Sequence, residues 1–445
     1  MPPRPNLSVS VLERPHSAAA LVCAFGFFLR IILSAPLLNV LGIDYGSEDV
    51  SLFGKIHPGN YFIFASFLIL IFSEMNPLEH CIRIARQQTA SFAFFTIYVL
   101  VIIGWIMHGP KGVGLILDVH IVAPIMAIVF SYAPKSFCRT IVYLFGAIAV
   151  LNSVVGLLEA AMHVRIFTFN SDWEVLKQDY FRASAFLGHP LANAVFTVVS
   201  LFVILSLRIP LALKSVIFLI MLSSLAAFGS RSALGLGIIG LVFLGMMKVK
   251  RHIADNSPTV LQLLLGAGAI LVVPVACAAL LYVLLHSSVG ERLLAYSSLN
   301  DESADVRLVV FRVFDHMSFS DIVFGIDGDR ILDIAKQAGL QNPNSDIESP
   351  WILMFMFLGA IMFALWFCGW AVFVWRLMTG APLAVKIAVI EYFAIATTSN
   401  SFGRKDLVYA TVAGIVVCVK RMQEPDNRVN DDATHATCDQ RFEGI

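Results

Sequence analysis

Charge is what this sequence has least of. Only 14% of its 445 residues are Asp, Glu, Lys or Arg, against 58% hydrophobic ones, and the mean hydropathy is +0.80. So few charges cannot cover soluble domains of this size, which makes lipid the main solvent. Net charge is lacking as well. The 31 basic residues balance 31 acidic ones, which removes any bulk electrostatic case for nucleic acid as a partner. Cysteine is missing from the loops where it could be oxidised. Cys23, Cys81, Cys138, Cys277, Cys368, Cys418 and Cys438 fall in apolar runs or in segments read below as cytoplasmic, so neither disulfides nor a Cys-based metal site is expected. Walker-type glycine loops, internal repeats and low-complexity tracts are absent too.

What is present is a succession of apolar segments. A membrane span needs roughly 20 mostly apolar residues. About twelve segments approach this: 18–41, 61–75, 91–107, 113–130, 140–162, 191–207, 213–228, 232–247, 260–285, 350–375, 387–398 and 407–419. The first follows Arg4 and Arg14 and is too long for a signal-peptide core, so it reads as a retained span. The expected fold class is an all-α integral membrane protein of about 12 transmembrane helices. Arg83 and Arg86, Lys135 and Arg139, Arg208 and Lys214, Lys248, Lys250 and Arg251, Arg376 and Lys386, and Lys420 and Arg421 recur in alternate loops. By the positive-inside rule these loops face the cytoplasm. The chain then divides into a cytoplasmic N-terminus (1–17), spans one to nine (18–285) with an outer loop near 163–189, a large outer loop (286–349) between spans nine and ten, three last spans (350–420) and a cytoplasmic tail (421–445). The cytoplasmic loops are too short for a nucleotide-binding βαβ unit of about 30 residues, which argues against ATP-driven or nucleotide-sugar chemistry on that side.

Candidate chemistry collects in the outer loops. In 227–235, AFGSRSALG, Gly229 permits a tight reversal, Ser230 suits an N-cap and Arg231 falls in the first helical turn. A cation there opposes the helix dipole unless an anion binds alongside, and free N–H groups with a guanidinium make a phosphate or pyrophosphate site. The plainer reading is an interfacial arginine touching lipid headgroups. In 180–193, YFRASAFLGHPLAN, Pro190 can occupy the first turn of a span, leaving Arg182 and His189 near the interface. Arg182 suits a second phosphoryl oxygen. His189 suits a proton acceptor or an orienting donor, or simply a cap.

Segment 303–319 has the periodicity of an amphipathic helix carrying Arg307 and Arg312, facing either headgroups or substrate. The turn 324–330, FGIDGDR, offers Asp327 and Asp329, an arrangement more common in plain turns than in metal sites, and no functional metal is expected. Ser349 and Pro350 suit the N-cap and first turn of a span, with Glu348 just outside as a base or merely a dipole partner. Within the spans, Asp118 and Glu159 are expected near the interface. Arg30 and Glu391 lie deeper, as a buried pair or a cavity wall. The small face Ala233/Gly237 reads as helix packing.

The order Arg182, Gly188-His189-Pro190, Ser230-Arg231-Ser232, then a large outer loop with Arg307 and a Phe324-Gly325-Ile326 turn, resembles the O-antigen ligase and polysaccharide polymerase superfamily, including the Wzy-type and related exopolysaccharide polymerases. The resemblance spans residues 180–359. It implies a GT-C-like, metal-independent, lipid-dependent glycosyltransferase of the bacterial inner membrane with both termini cytoplasmic. Its donor would be an undecaprenyl-pyrophosphate-linked oligosaccharide, with no cofactor and with a chain-length regulator as a possible partner. Outer-face arginines hold the pyrophosphate in that family, and Arg182, Arg231 and Arg307, with Arg312 beside them, are the matching candidates. The ligase branch carries a histidine at the end of the large loop where this chain has Glu348. That departure favours polymerisation over ligation to a lipid A core, with Glu348 or His189 as base. A transporter or flippase for the same lipid-linked sugars is the alternative from a different class; it predicts inverted repeats, broken helices in both halves and a midplane site, whereas this chain is asymmetric, with one dominant loop in its second half.

Overall fold

The computed structural model describes residues 14–43, 45, 54, 56–108, 116–166, 181–255, 309–340, 347, 349–399 and 407–424. Among the described residues all regular structure is helical and no strand occurs. The helices are α1 (Arg14–Ile32), α2 (Ala35–Val40), α3 (Pro58–Ile71), α4 (Pro77–Gln87), α5 (Thr89–His108), α6 (Val122–Ser131), α7 (Lys135–Met162), α8 (Pro190–Leu205), α9 (Leu211–Phe228), α10 (Arg231–Asp255), α11 (Phe319–Phe324), α12 (Gly328–Gln337), α13 (Pro350–Met378), α14 (Leu383–Ser399) and α15 (Val408–Gln423). A π-helical turn (Ile116–His120) precedes α6, and a 3-10 helix (Val310–His316) precedes α11.

The chain is an α-helical membrane protein by length and composition. Four helices can cross a membrane alone: α7, α9, α10 as far as Arg251, and α13. The pair α4 and α5, bent by 112° at Gln88, makes a fifth if taken together. The apolar segments expected from sequence fall on helices, except 260–285, which lies outside the described residues. Several are short, however, and three are interrupted. The first expected span, 18–41, is two helices parted at Leu33 and Ser34. The span expected at 113–130 begins, where described, as a π-helical turn. The span beginning at Pro350 breaks at Gly359, whose φ of 65° and ψ of 170° leave the helical region.

Helices apolar on every side belong inside a bundle. That describes α6, buried from Val122 to Phe130, and nearly all of α8 and α15. These lie among longer helices whose outward side chains, including Leu21, Leu100, Leu151, Ile239 and Phe243, present an apolar exterior. The expected packing role of the small face on α10 holds, for Gly237 rests on Val198 of α8.

Basic side chains gather at one end of the bundle. Lys135 donates to the Glu424 carbonyl at 2.8 Å, Arg421 to the Ala133 carbonyl at 3.4 Å and Lys420 to the Arg376 carbonyl at 3.1 Å. Arg86 shares a pocket with Arg376 and Lys420. The helices α7, α8, α9 and α10 run alternately away from and toward this basic end, so Met162, Pro190, Phe228 and Arg231 all lie at the opposite end.

Residues 309–340 form a satellite with its own small core, in which Val310, Val313, Ile331 and Ile334 pack on Met356 of α13. The amphipathic helix expected over 303–319 is, where described, a 3-10 helix. It keeps the expected sidedness, with Val310 and Val313 inward and Arg312 exposed. The satellite is fastened by two glycines. Gly325, with φ of +84°, lies against the break in α13 so closely that a Cβ there would strike the Phe357 carbonyl oxygen and the Gly359 nitrogen. The break frees the Met356 carbonyl from its helical partner, and Ile326 N–H donates to it at 2.8 Å. Within the satellite Arg330 grips Asp321 through two bonds of 2.7 and 2.6 Å, and Ser318 and Asp321 form a capping box.

Two predictions follow from this joint. Gly325→Ala combines a left-handed backbone with a steric clash and is expected to cost at least about 2 kcal/mol. Limited proteolysis of the detergent-purified chain reads it as faster cutting within 309–340, and an unchanged cleavage pattern would show that the contact is not made. The second concerns acid. Burial raises the Asp321 pKa, but the Ser318 hydrogen bonds and the Arg330 guanidinium outweigh it and hold the group below its ordinary 3.8. A depressed carboxyl stabilises the fold above its unfolded pKa and loses that contribution as pH falls through the folded value. Pulse-labelled hydrogen exchange at α11 after acid incubation therefore reports an opening midpoint that Arg330→Ala moves to higher pH. An unmoved midpoint would exclude this pair as the acid-sensitive link.

Candidate functional site

Residues 181–189 enter the bundle at the end opposite the basic side chains, without helical hydrogen bonds of their own. The amides of residues 184–187 are satisfied by polar side chains from two helices, α7 and α8. Glu159, in the last turn of α7 and fully buried, accepts from Ile166 N–H on Oε1 at 2.8 Å and from Ser184 and Ala185 N–H on Oε2 at 2.7 and 2.9 Å. Asn152, two turns earlier, accepts from Phe186 N–H at 3.0 Å. Asn193 of α8 accepts from Leu187 N–H at 3.4 Å and donates to the carbonyls of Ser184 and His189. Ala185 sits at φ +35°, an uncommon conformation for a residue with a side chain, held by these bonds. Glu159 keeps its expected place near the end of its span, and there it is an internal cap for loop backbone.

This loop is stitched to the α9–α10 turn. Ala183 N–H donates to the Ala227 carbonyl at 3.1 Å, and Arg182 Nε donates to the Phe228 carbonyl at 3.1 Å. The Arg182 side chain crosses Gly229, whose φ of +64° makes the tight reversal, and a Cβ there would sit 3.3 Å from Arg182 Nε. Ser230 then caps α10 by accepting from Ala233 N–H at 3.4 Å, and Arg231 is the first residue of the helix and exposed. Pro190 opens α8 with His189 at its N-cap, where the imidazole makes no capping bond. The cap and first-turn positions expected for Ser230, Arg231, Pro190, Ser349 and Pro350 all occur.

Arg182 and Arg231 are therefore brought to one turn, beside the N-terminus of α10. A third arginine, Arg165, was not singled out from sequence. Its Nε donates to the Arg182 carbonyl at 3.3 Å and its guanidinium lies 5.8 Å from the Phe181 ring centre. Its terminal nitrogens have no partner among the described residues. Nothing in the local sequence HVRIF distinguishes Arg165 from a surface charge. The left-handed C-cap at His163 aims the chain back toward Arg182, and that is a backbone feature. Arg312 lies exposed on the satellite. Arg307 and Glu348 lie outside the described residues. Asp327 caps α12 through the Gly328 N–H at 2.6 Å.

A second polar network occupies the same end. Asp118, in the π-helical turn, accepts on Oδ1 from His57 N–H at 2.5 Å and Asn60 Nδ2 at 2.7 Å, and on Oδ2 from the Tyr45 hydroxyl. Arg30 donates to Asn60 Oδ1 and, at 2.8 Å, to the Asp118 carbonyl. All these side chains are buried. Asp118, like Glu159, is thus buried within the protein. Arg30 and Glu391 are both buried but not together: Glu391 of α14 lies against Gly240 of α10, and its Oε2 has no hydrogen-bond partner among the described residues.

Among the described residues the one grouping of metal-ligand type is His16, Glu74 and His80, at the basic end, where Arg83 already ion-pairs with Glu74 at 2.9 Å. No protein-family model matches the chain, and no curated protein matches it.

The carboxylate of Glu159 carries three backbone amides, and an amide in its place offers one acceptor and two misplaced donors. Glu159→Gln is expected to cost roughly 3 kcal/mol and to raise hydrogen exchange at Ser184 and Ala185. Unchanged exchange at those two amides would disprove the capping role.

Proposed function

We propose that the chain polymerises undecaprenyl-pyrophosphate-linked oligosaccharide repeat units into a surface polysaccharide, at the membrane face opposite its basic loops. On this reading that face is periplasmic, the membrane is the bacterial inner membrane, and the chain is a GT-C-like lipid-dependent glycosyltransferase of about twelve spans. The observation that carries the reading is the joining of Arg182 to the Gly229–Arg231 turn, which puts two guanidinium groups beside the start of α10. Helix starts and arginines are the groups that stabilise a departing pyrophosphate, because its charge grows as the anomeric bond breaks.

In that mechanism an acceptor sugar hydroxyl attacks the anomeric carbon of the donor sugar. Its proton passes to Glu348 or His189, and the lipid pyrophosphate leaves into the arginine cluster. The lipid diphosphate is already an activated leaving group, so no ATP enters the step. Arg165 adds a third cation to the seat, and Arg307 and Arg312 would arrive from the large loop.

One observation favours the rival transporter reading. Breaks occur in both halves of the chain, at Leu33–Ser34 and at Gly359, and the first adjoins the buried Arg30–Asp118 network. Broken helices and buried charges suit a path through the membrane. A cell-based assay separates the two. Arg231→Ala is expected to lower polymer yield roughly a hundredfold on gels while single lipid-linked repeats accumulate on the outer face. Repeats accumulating on the inner face would support transport instead, and normal polymer in Arg231→Ala and Arg182→Ala would remove the cluster from the chemistry.

A further inference from the structure

At the basic end, far from the proposed site, a pocket of about 400 Å³ opens where α5 begins and α13 and α15 end. Three cations from three helices line it: Arg86 of α4, Arg376 of α13 and Lys420 of α15. No carboxylate is among its lining residues. Some of this charge has a local purpose. Lys420 Nζ donates to the Arg376 and Leu377 carbonyls at 3.1 and 3.4 Å, closing the C-terminus of α13. The guanidinium groups of Arg86 and Arg376 have no such employment, for neither has a hydrogen-bond or ion-pair partner among the described residues. Like charges gathered around a cavity repel unless an anion joins them. The first residues of the 20-residue helix α5 also face this pocket, adding the positive end of its dipole.

The rest of the lining identifies the kind of anion. Phe373 and Leu377, both nearly fully buried, form an apolar floor beneath the cations. The helix carrying Arg86 meets α5 at 112°, so where α5 crosses a bilayer, α4 lies along its surface. It is amphipathic, with His80 and Ile84 inward and Arg83 and Arg86 exposed. A phosphate at the rim with carbon beneath it describes an amphiphile at headgroup depth better than a dissolved ion. We propose that this pocket seats the phosphate diester of an anionic membrane lipid, gripped by Arg86 and Arg376 and by the start of α5. The proposal does not depend on the polymerase reading, since it concerns the other face of the protein.

The full chain is reconstituted in phosphatidylcholine nanodiscs doped with phosphatidylglycerol, and the lipid it retains on release is weighed by native mass spectrometry. The wild type is expected to keep phosphatidylglycerol in preference to phosphatidylcholine. Arg86→Gln with Arg376→Gln should lower that preference by roughly fivefold for each cation removed. Both side chains are exposed, so the variant should keep the wild-type elution volume, and Arg86→Lys with Arg376→Lys should retain most of the preference. Arg208→Gln with Arg251→Gln removes the same charge outside the pocket and should leave the preference unchanged. Undiminished retention in the first variant, or an equal loss in the Arg208 and Arg251 variant, overturns the site. Displacement of the lipid by millimolar inorganic phosphate overturns the assignment to a lipid.

Discussion

Inside a lipid-solvated bundle every backbone amide must find an acceptor, because water is not there to serve as one. A helix meets this demand internally, and a loop cannot. The descent of residues 181–189 into the bundle is therefore possible only because Glu159, Asn152 and Asn193 meet its amides and carbonyls one by one. The rest of the candidate site hangs from that loop. Once Ala183 and Arg182 are fixed, their bonds to Ala227 and Phe228 hold the α9–α10 turn, and with it the position of Arg231. A single buried carboxylate thus governs where the Arg182 and Arg231 side chains stand.

The same demand explains the other interruptions. The parting of α1 from α2 lies beside Asp118, Asn60 and His57, and His57 Nε2 meets the Leu33 carbonyl at 2.6 Å, an acceptor left without a helical donor. The break in α13 leaves the Met356 carbonyl open, and the satellite loop supplies Ile326 N–H. In each case the replacement partner comes from elsewhere in the chain, so an interruption of one helix doubles as a fastening between two elements. Glycine pairs make this possible where backbones must touch. Gly325 meets Gly359 at the satellite, and Gly26 meets Gly59 between α1 and α3.

Much of the helix pattern is legible from hydropathy, and the helix starts are legible from capping chemistry. Ser230, Pro190 and the Ser349–Pro350 pair occupy the positions that their side chains favour, because a cap is decided by residues within one turn of itself. The interruptions are harder to read, since each depends on a partner distant in sequence. An acid near the end of an apolar helix suits the interface by local rules, and only the return of residues 184 and 185 turns Glu159 inward. Gly359 in an apolar run suggests close packing, and its break depends on the arrival of Gly325. Other features were within reach. Ser34 followed by Pro36 signals a new helix inside the first apolar run, and Pro77 after Asn76 signals the start of α4. A hydropathy window averages over both. Arg165 had no local signal, for its contact with Arg182 joins residues 17 apart in sequence.

The two ends of the bundle consequently differ in kind. At the basic end helices both begin and finish, and last carbonyls receive cations, as when Lys420 closes α13. At the opposite end, and within the neighbouring satellite contact, helices break or begin, and buried side chains keep non-helical backbone in place. Regular helix exposes no backbone donors along its length, so a surface able to grip an anion must come from helix starts and held loops. Such elements are useful for binding only if they do not rearrange, which requires a rigid second layer of buried partners. Glu159, Asn152 and Asn193 supply that layer beneath Arg182. Glu391, buried against Gly240, has one oxygen unpartnered and no comparable loop to serve among the described residues, which separates it physically from the acids at the candidate site. Burial of an acid alone therefore does not mark the candidate site. What marks it is burial joined to backbone that would otherwise lack a partner.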